Sequence, residues 1–133
     1  MPTALEGEIT DLEAQCRYQK AVAHLADLQL VMYEGDRHIV PWHPTLDADA
    51  TLLPFLERFH YSADMAALYT CALTAFRAIG GVFFNVFVPV PGPGRHGFWG
   101  ARRRTLDDSP RGRAIMAFNP ANAVRLSPPL WIR

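Results

Sequence analysis

The sequence predicts an α/β fold with parallel strands, on three observations. Two apolar runs rich in β-branched and aromatic residues, 28–33 and 82–90, read as strands. A long helical stretch lies between them, and each run passes directly into a loop that carries polar or aromatic side chains. Two strands joined by a helical crossover make a right-handed βαβ unit.

Each element follows from its local pattern. Leu5, Ile9, Leu12, Cys16, Ala23 and Ala26 recur at helical spacing, which predicts an amphipathic helix over 9–25. The run 28–33 lacks polar alternation, as expected for a strand covered on both faces. It stops on Glu34 and Gly35, the way an α/β enzyme presents an acid at the mouth of a pocket. Residues 35–49 then form a loop with Pro41, Pro44, His38, His43 and Trp42, and a loop this long in a compact fold is usually functional or disordered.

Asp49 or Thr51 is suited to cap a short helix through Tyr61, with Pro54 tolerated in the first turn. Ser62 is the expected N-cap of a helix over 63–79, whose core stripe is Met65, Leu68, Tyr69, Ala72, Leu73 and Phe76. Ala67, Cys71, Ala75 and Ala78 give a neighbouring face of small side chains that suits close approach of another helix. Gly80-Gly81 supplies a C-cap free to take positive φ. The strand 82–90 has one polar residue in its middle, Asn85, which needs a hydrogen-bond partner. Pro91-Gly92-Pro93-Gly94 forces a loop. Ser109-Pro110 opens a last short helix, with Ile115, Met116 and Phe118 on its apolar side. Asn119-Pro120 closes it, and the remaining tail reads as irregular.

Composition narrows the function classes. With 133 residues, half of them hydrophobic, the chain has the length and make-up of one globular domain. A net charge of zero gives no global attraction to nucleic acid or anionic membrane. Arg102-Arg103-Arg104 reads as a solvated loop paired with Asp107 and Asp108, since no aromatic stacking platform interleaves with it. No apolar run approaches membrane-spanning length, and the first ten residues lack the apolar stretch of a signal peptide, so neither address is expected here and the compartment stays open. Cys16 and Cys71 read as two buried thiols, a single long-range disulfide being the alternative. No Cys/His spacing resembles a zinc site, and no cofactor is expected.

Three blocks taken in order carry a resemblance. They are Leu28-Gln29-Leu30-Val31-Met32-Tyr33-Glu34-Gly35 with His38; Gly80-Gly81 leading to Phe84-Asn85-Val86-Phe87-Val88; and Gly97-Phe98-Trp99-Gly100-Ala101. Together they resemble the last part of a (β/α)8-barrel glycoside hydrolase of the cellulase-like, retaining two-glutamate clan, over about residues 11–119. The resemblance implies a partial TIM-barrel segment: the last two βα units, with parallel strands and crossover helices, in residues 1–133. It implies that Glu34 occupies the nucleophile position and that Trp99 matches the tryptophan flooring the sugar site. Tyr33, His38, Asn85 and His96 are the other candidate substrate contacts.

The chemistry asked of such a site is specific. Retaining hydrolysis uses two carboxyl groups about 5 Å apart, one attacking the anomeric carbon and one protonating the leaving oxygen. Both stand at the C-terminal end of barrel strands. This chain departs from the family pattern in two places: Asp36 replaces the second glycine of Tyr-Glu-Gly-Gly, and His96 stands where relatives carry an earlier tryptophan.

The clan's acid/base glutamate belongs to an earlier strand. Glu6, Glu8, Glu13 and Glu57 do not fill that role, and two strands cannot close an eight-stranded barrel. The expected function is thus that of a fragment of an O-glycosyl hydrolase acting on a carbohydrate, inactive alone. Its expected partners are the upstream barrel portion or further copies of itself. The alternative is a non-catalytic carbohydrate-binding or self-associating α/β module.

Overall fold

The computed structural model describes residues 4–35, 49–87, 98 and 100–121. In chain order they form α1 (Ala4–Leu25), β1 (Val31–Gly35), α2 (Leu52–His60), α3 (Ala63–Ala78), β2 (Phe83–Val86) and α4 (Pro110–Ala121). The architecture is mixed α/β, mostly helical, and β1 and β2 pair in parallel as expected. No helix among these residues is long and apolar enough to cross a membrane.

The helix ends follow their capping residues. The Asp49 carboxylate accepts from the Thr51 and Leu52 amides, both at 2.7 Å, so Asp49 rather than Thr51 caps α2. Those two bonds hold the Asp49 carboxyl below the usual carboxylate range. Ser62 accepts from the Met65 amide at 3.2 Å and starts α3. Gly80, at φ +84°, ends it: the Gly80 amide donates to the Arg77 carbonyl and the Gly81 amide to the Phe76 carbonyl. Asp27, at φ 56°, ends α1 by the same bonding pattern without glycine.

The core lies on one side of the sheet. Cys16 of α1 packs with Phe76 and Ile79, and Leu12, Leu30, Met32 and Phe84 close around them. The Phe76 and Phe84 rings meet edge to face, 5.3 Å between centroids. α1 and α3 cover this face, and α3 also packs against α2 and α4.

Several expectations are corrected. β1 begins at Val31, so Leu28-Gln29-Leu30 lead into the strand and Glu34-Gly35 belong to it. The strands are not covered on both faces: Val31, Tyr33 and Phe83 are 54%, 80% and 60% exposed. Both thiols are free, but Cys71 is exposed rather than buried. Ala67, Cys71 and Ala78 face solvent, and the small residues that admit α1 are Ala72 and Ala75. On α4 Met116 is exposed, and Arg111 and Gly112 are the buried residues. Residues beyond 87 of the second strand, the loops with Asp36, Arg37, Trp42 and His43, and the tail lie outside the described residues.

Candidate functional site

The geometry of interest is the end of β1. Val31 pairs with Phe83 and Met32 with Phe84, but Gly35 pairs with Val86. Two residues, Tyr33 and Glu34, therefore stand opposite the single residue Asn85, which is a β-bulge. The bulge changes the phase of the strand. In a regular strand Met32 and Glu34 share a face and Gly35 takes the other. Here a side-chain atom built on Gly35 would lie 2.2 Å from the Phe84 ring and 2.9 Å from Met32 Cγ. Gly35 thus faces the helices together with Met32, and only glycine fits there.

Tyr33 and Glu34 are both exposed, as is Asn85. They stand at the end of the sheet, beyond the exposed Val31 and Phe83. Asn85 Nδ2 donates to the Tyr33 carbonyl at 2.9 Å, so the neighbouring strand supplies the partner its amide needs. Beneath the strand end, on the helix side, is a small cavity of about 100 Å³ lined by Leu12, Met32, Tyr69, Leu73 and Phe84, with Glu34 and Gly35 also bordering it. A larger open groove of about 410 Å³ runs between α3, β2 and α4, past Phe76, Arg77, Phe83 and Phe118.

Of the predicted site residues, the structure brings Tyr33, Glu34 and Asn85 together. His38, His96 and Trp99 lie outside the described residues. The flanks of Trp99 are described, and both are buried: Phe98 is 4% exposed and Ala101 9%.

Those flanks are held by a polar cluster that the sequence reading missed. His60, Ser109 and Arg111 are all fully buried. Arg111 Nη2 donates to the Phe98 carbonyl at 3.0 Å, and its Nη1 lies 3.4 Å from His60 Nδ1. The His60 ring stacks on Phe98, 5.2 Å between centroids. Ser109 Oγ donates to the Ala101 carbonyl at 2.8 Å and accepts from the Gly112 amide at 3.1 Å, so one hydroxyl both caps α4 and anchors the loop. The Arg111 guanidinium also lies 5.0 Å from the Tyr61 ring centre and 5.5 Å from that of Tyr69.

Arg103 closes the corner from outside. It binds Asp107 through its backbone amide and its guanidinium, at 3.0–3.2 Å, and lies 4.8 Å from the Tyr61 ring centre. The pairing keeps the Asp107 carboxyl below its ordinary range. Asp108 pairs with Arg113 rather than with the arginine triplet. Among the described residues no three His, Cys, Asp or Glu side chains cluster as a metal site would require.

The chain matches no known protein family, curated protein or solved structure. An exposed carboxylate beside an exposed tyrosine, at the C-terminal end of a parallel strand pair, is open to a ligand approaching the strand end. The neighbouring apolar residues Val31 and Phe83 would dry one side of that ligand.

Proposed function

We propose that the chain is the C-terminal part of a retaining glycoside hydrolase barrel, with Glu34 as the nucleophile. The observation that carries this reading is the bulge. It sets Gly35 on the helix side beside Met32 and leaves Tyr33 and Glu34 exposed opposite Asn85, at the strand end where barrel enzymes keep their chemistry. In a closed barrel the face opposite the helices is the interior, and the remaining strands would cover Val31 and Phe83.

In this reading Glu34 attacks the anomeric carbon. A second carboxyl group, supplied by upstream strands, protonates the leaving oxygen and then activates water. Trp99 and His38 would contact the sugar.

The test is complementation. The chain joined to upstream barrel strands that carry an acid/base glutamate should hydrolyse a β-linked aryl glycoside, and Glu34→Gln should reduce the rate to background. A Glu34→Gln protein that keeps full rate would assign the nucleophile elsewhere and remove this reading. The second reading, a self-associating module without catalysis, is favoured by the exposed apolar face itself. It predicts specific oligomers of the chain alone and no gain of activity on complementation.

A further inference from the structure

The bulge at Tyr33–Glu34 needs a cause, because a two-stranded sheet gives it little support. Glu34 already borders the cavity of Leu12, Tyr69 and Leu73 while staying exposed, and regular pairing would turn its side chain fully inward beside Met32, and Gly35 to the open side. Burial of an unpaired carboxylate disfavours that alternative. It does not select the bulge, because the strand end can also fray. A bulge disrupts the regular ladder at its extra residue, so a polar group there must be satisfied in another way. The contact that spans this bulge is between Asn85 Nδ2 and the Tyr33 carbonyl. Asn85 is also the residue that the two bulged positions oppose.

We propose that Asn85 is a positioning residue: its side-chain amide locks the Tyr33–Glu34 bulge and so sets the face on which Glu34 is presented. Its importance for catalysis rests on the glycosidase reading, whereas the lock itself does not. The assignment changes the role expected for Asn85 from the sequence. Its amide is committed to the neighbouring strand, so it shapes the site rather than donating that hydrogen bond to a sugar.

The experiment uses the full chain and no carbohydrate. In a Cys71→Ser background, which removes the exposed thiol, Tyr33→Cys and Glu34→Cys are each reacted with a maleimide, and the ratio of their rates is read. Cysteine at position 34 carries no burial penalty, so the Asn85 amide becomes the main restraint on its face. With Asn85 present the two rates should be similar. Asn85→Asp, which keeps the shape but loses the donor, and Asn85→Ala should each lower the Glu34→Cys rate at least tenfold relative to Tyr33→Cys. In the same variants without the added cysteines, the nuclear Overhauser contact between the Gly35 α-protons and the Phe84 ring should disappear. Asn85→Ser, with a shorter donor, should restore part of both signals.

An unchanged rate ratio in Asn85→Asp and Asn85→Ala, with the Gly35–Phe84 contact intact, would overturn the proposal. So would global unfolding of all three variants, reported by fast reaction of the buried Cys16, because Asn85 would then support the whole fold rather than the bulge. A lock that passes this test beside a failed complementation would leave the geometry standing and remove only the glycosidase reading.

Discussion

Where α2, α3 and α4 meet, three polar side chains, His60, Ser109 and Arg111, are fully buried. On the sheet's outer face, three large apolar side chains, Val31, Tyr33 and Phe83, are more than half exposed. Burying polar groups costs several kcal/mol unless each finds a partner, and exposing apolar ones forgoes roughly 1.5–3 kcal/mol per side chain. The helical corner therefore meets most of its buried polar groups from within the chain, through Phe98, Ala101 and the aromatic rings. The sheet forgoes stabilisation that another surface would recover. Glu34 stands exposed at the end of that sheet.

The comparison breaks first in the two cores. Phe76 supports the sheet and Arg111 the corner. Phe76→Asp buries an unpaired charge in the α1–α3–sheet cluster, and soluble yield should collapse. Arg111→Ala leaves a cavity and an orphaned Phe98 carbonyl, and should cost about 3–5 kcal/mol in urea unfolding. Arg103→Ala loses an exposed ion pair and should cost about 1 kcal/mol or less. Equal losses from Arg111→Ala and Arg103→Ala would mean that the corner is not the closed unit described.

The open face is the next target. The isolated chain is expected to self-associate through Val31, Tyr33, Phe83 and the unpaired strand edges. Phe83→Lys should weaken association at least tenfold by sedimentation. Its effect on folding should stay within about 0.5 kcal/mol, because the side chain is already in solvent. A wild-type chain that sediments as a single monomer with cooperative unfolding would show that the face needs no cover.

The sequence made some of this legible and hid the rest for identifiable reasons. Ser62, Gly80 and Ser109 act through local bonds, so the helix ends could be read from neighbours a few residues away. The parallel pairing followed from connectivity. The bulge did not, because it is a relation between positions 33–34 and 85, fifty residues apart, and apolar content carries no phase. The same blindness made the strands look covered on both faces. Arg111 and His60 were missed because arginine and histidine are usually read as solvated, and their burial depends on Phe98, Tyr61 and Tyr69 meeting in space. Glu34, Tyr33 and Asn85 can be named as candidates from sequence, but their meeting at one bulge is visible only in the register.

The smallest expected effect concerns Tyr61, at the edge of the helical corner. Its hydroxyl is buried, with no hydrogen-bond partner among the described residues. Burial raises its pKa above the usual value near 10, while Arg111 and Arg103 pull it down less strongly and Asp107 and Glu57 add to the rise. A raised acid pKa means that the folded state holds the proton more tightly than the unfolded chain. The neutral tyrosine is therefore tolerated in full below about pH 10, and stability falls as pH rises from there through the folded pKa. Tyr61→Phe should change stability by no more than about 1 kcal/mol at pH 7, since no hydrogen bond is lost. Its urea midpoint should then fall less steeply than wild type as pH rises above about 10. Identical slopes would show that the Tyr61 hydroxyl reaches water, and that the corner is more open than its three buried polar side chains suggest.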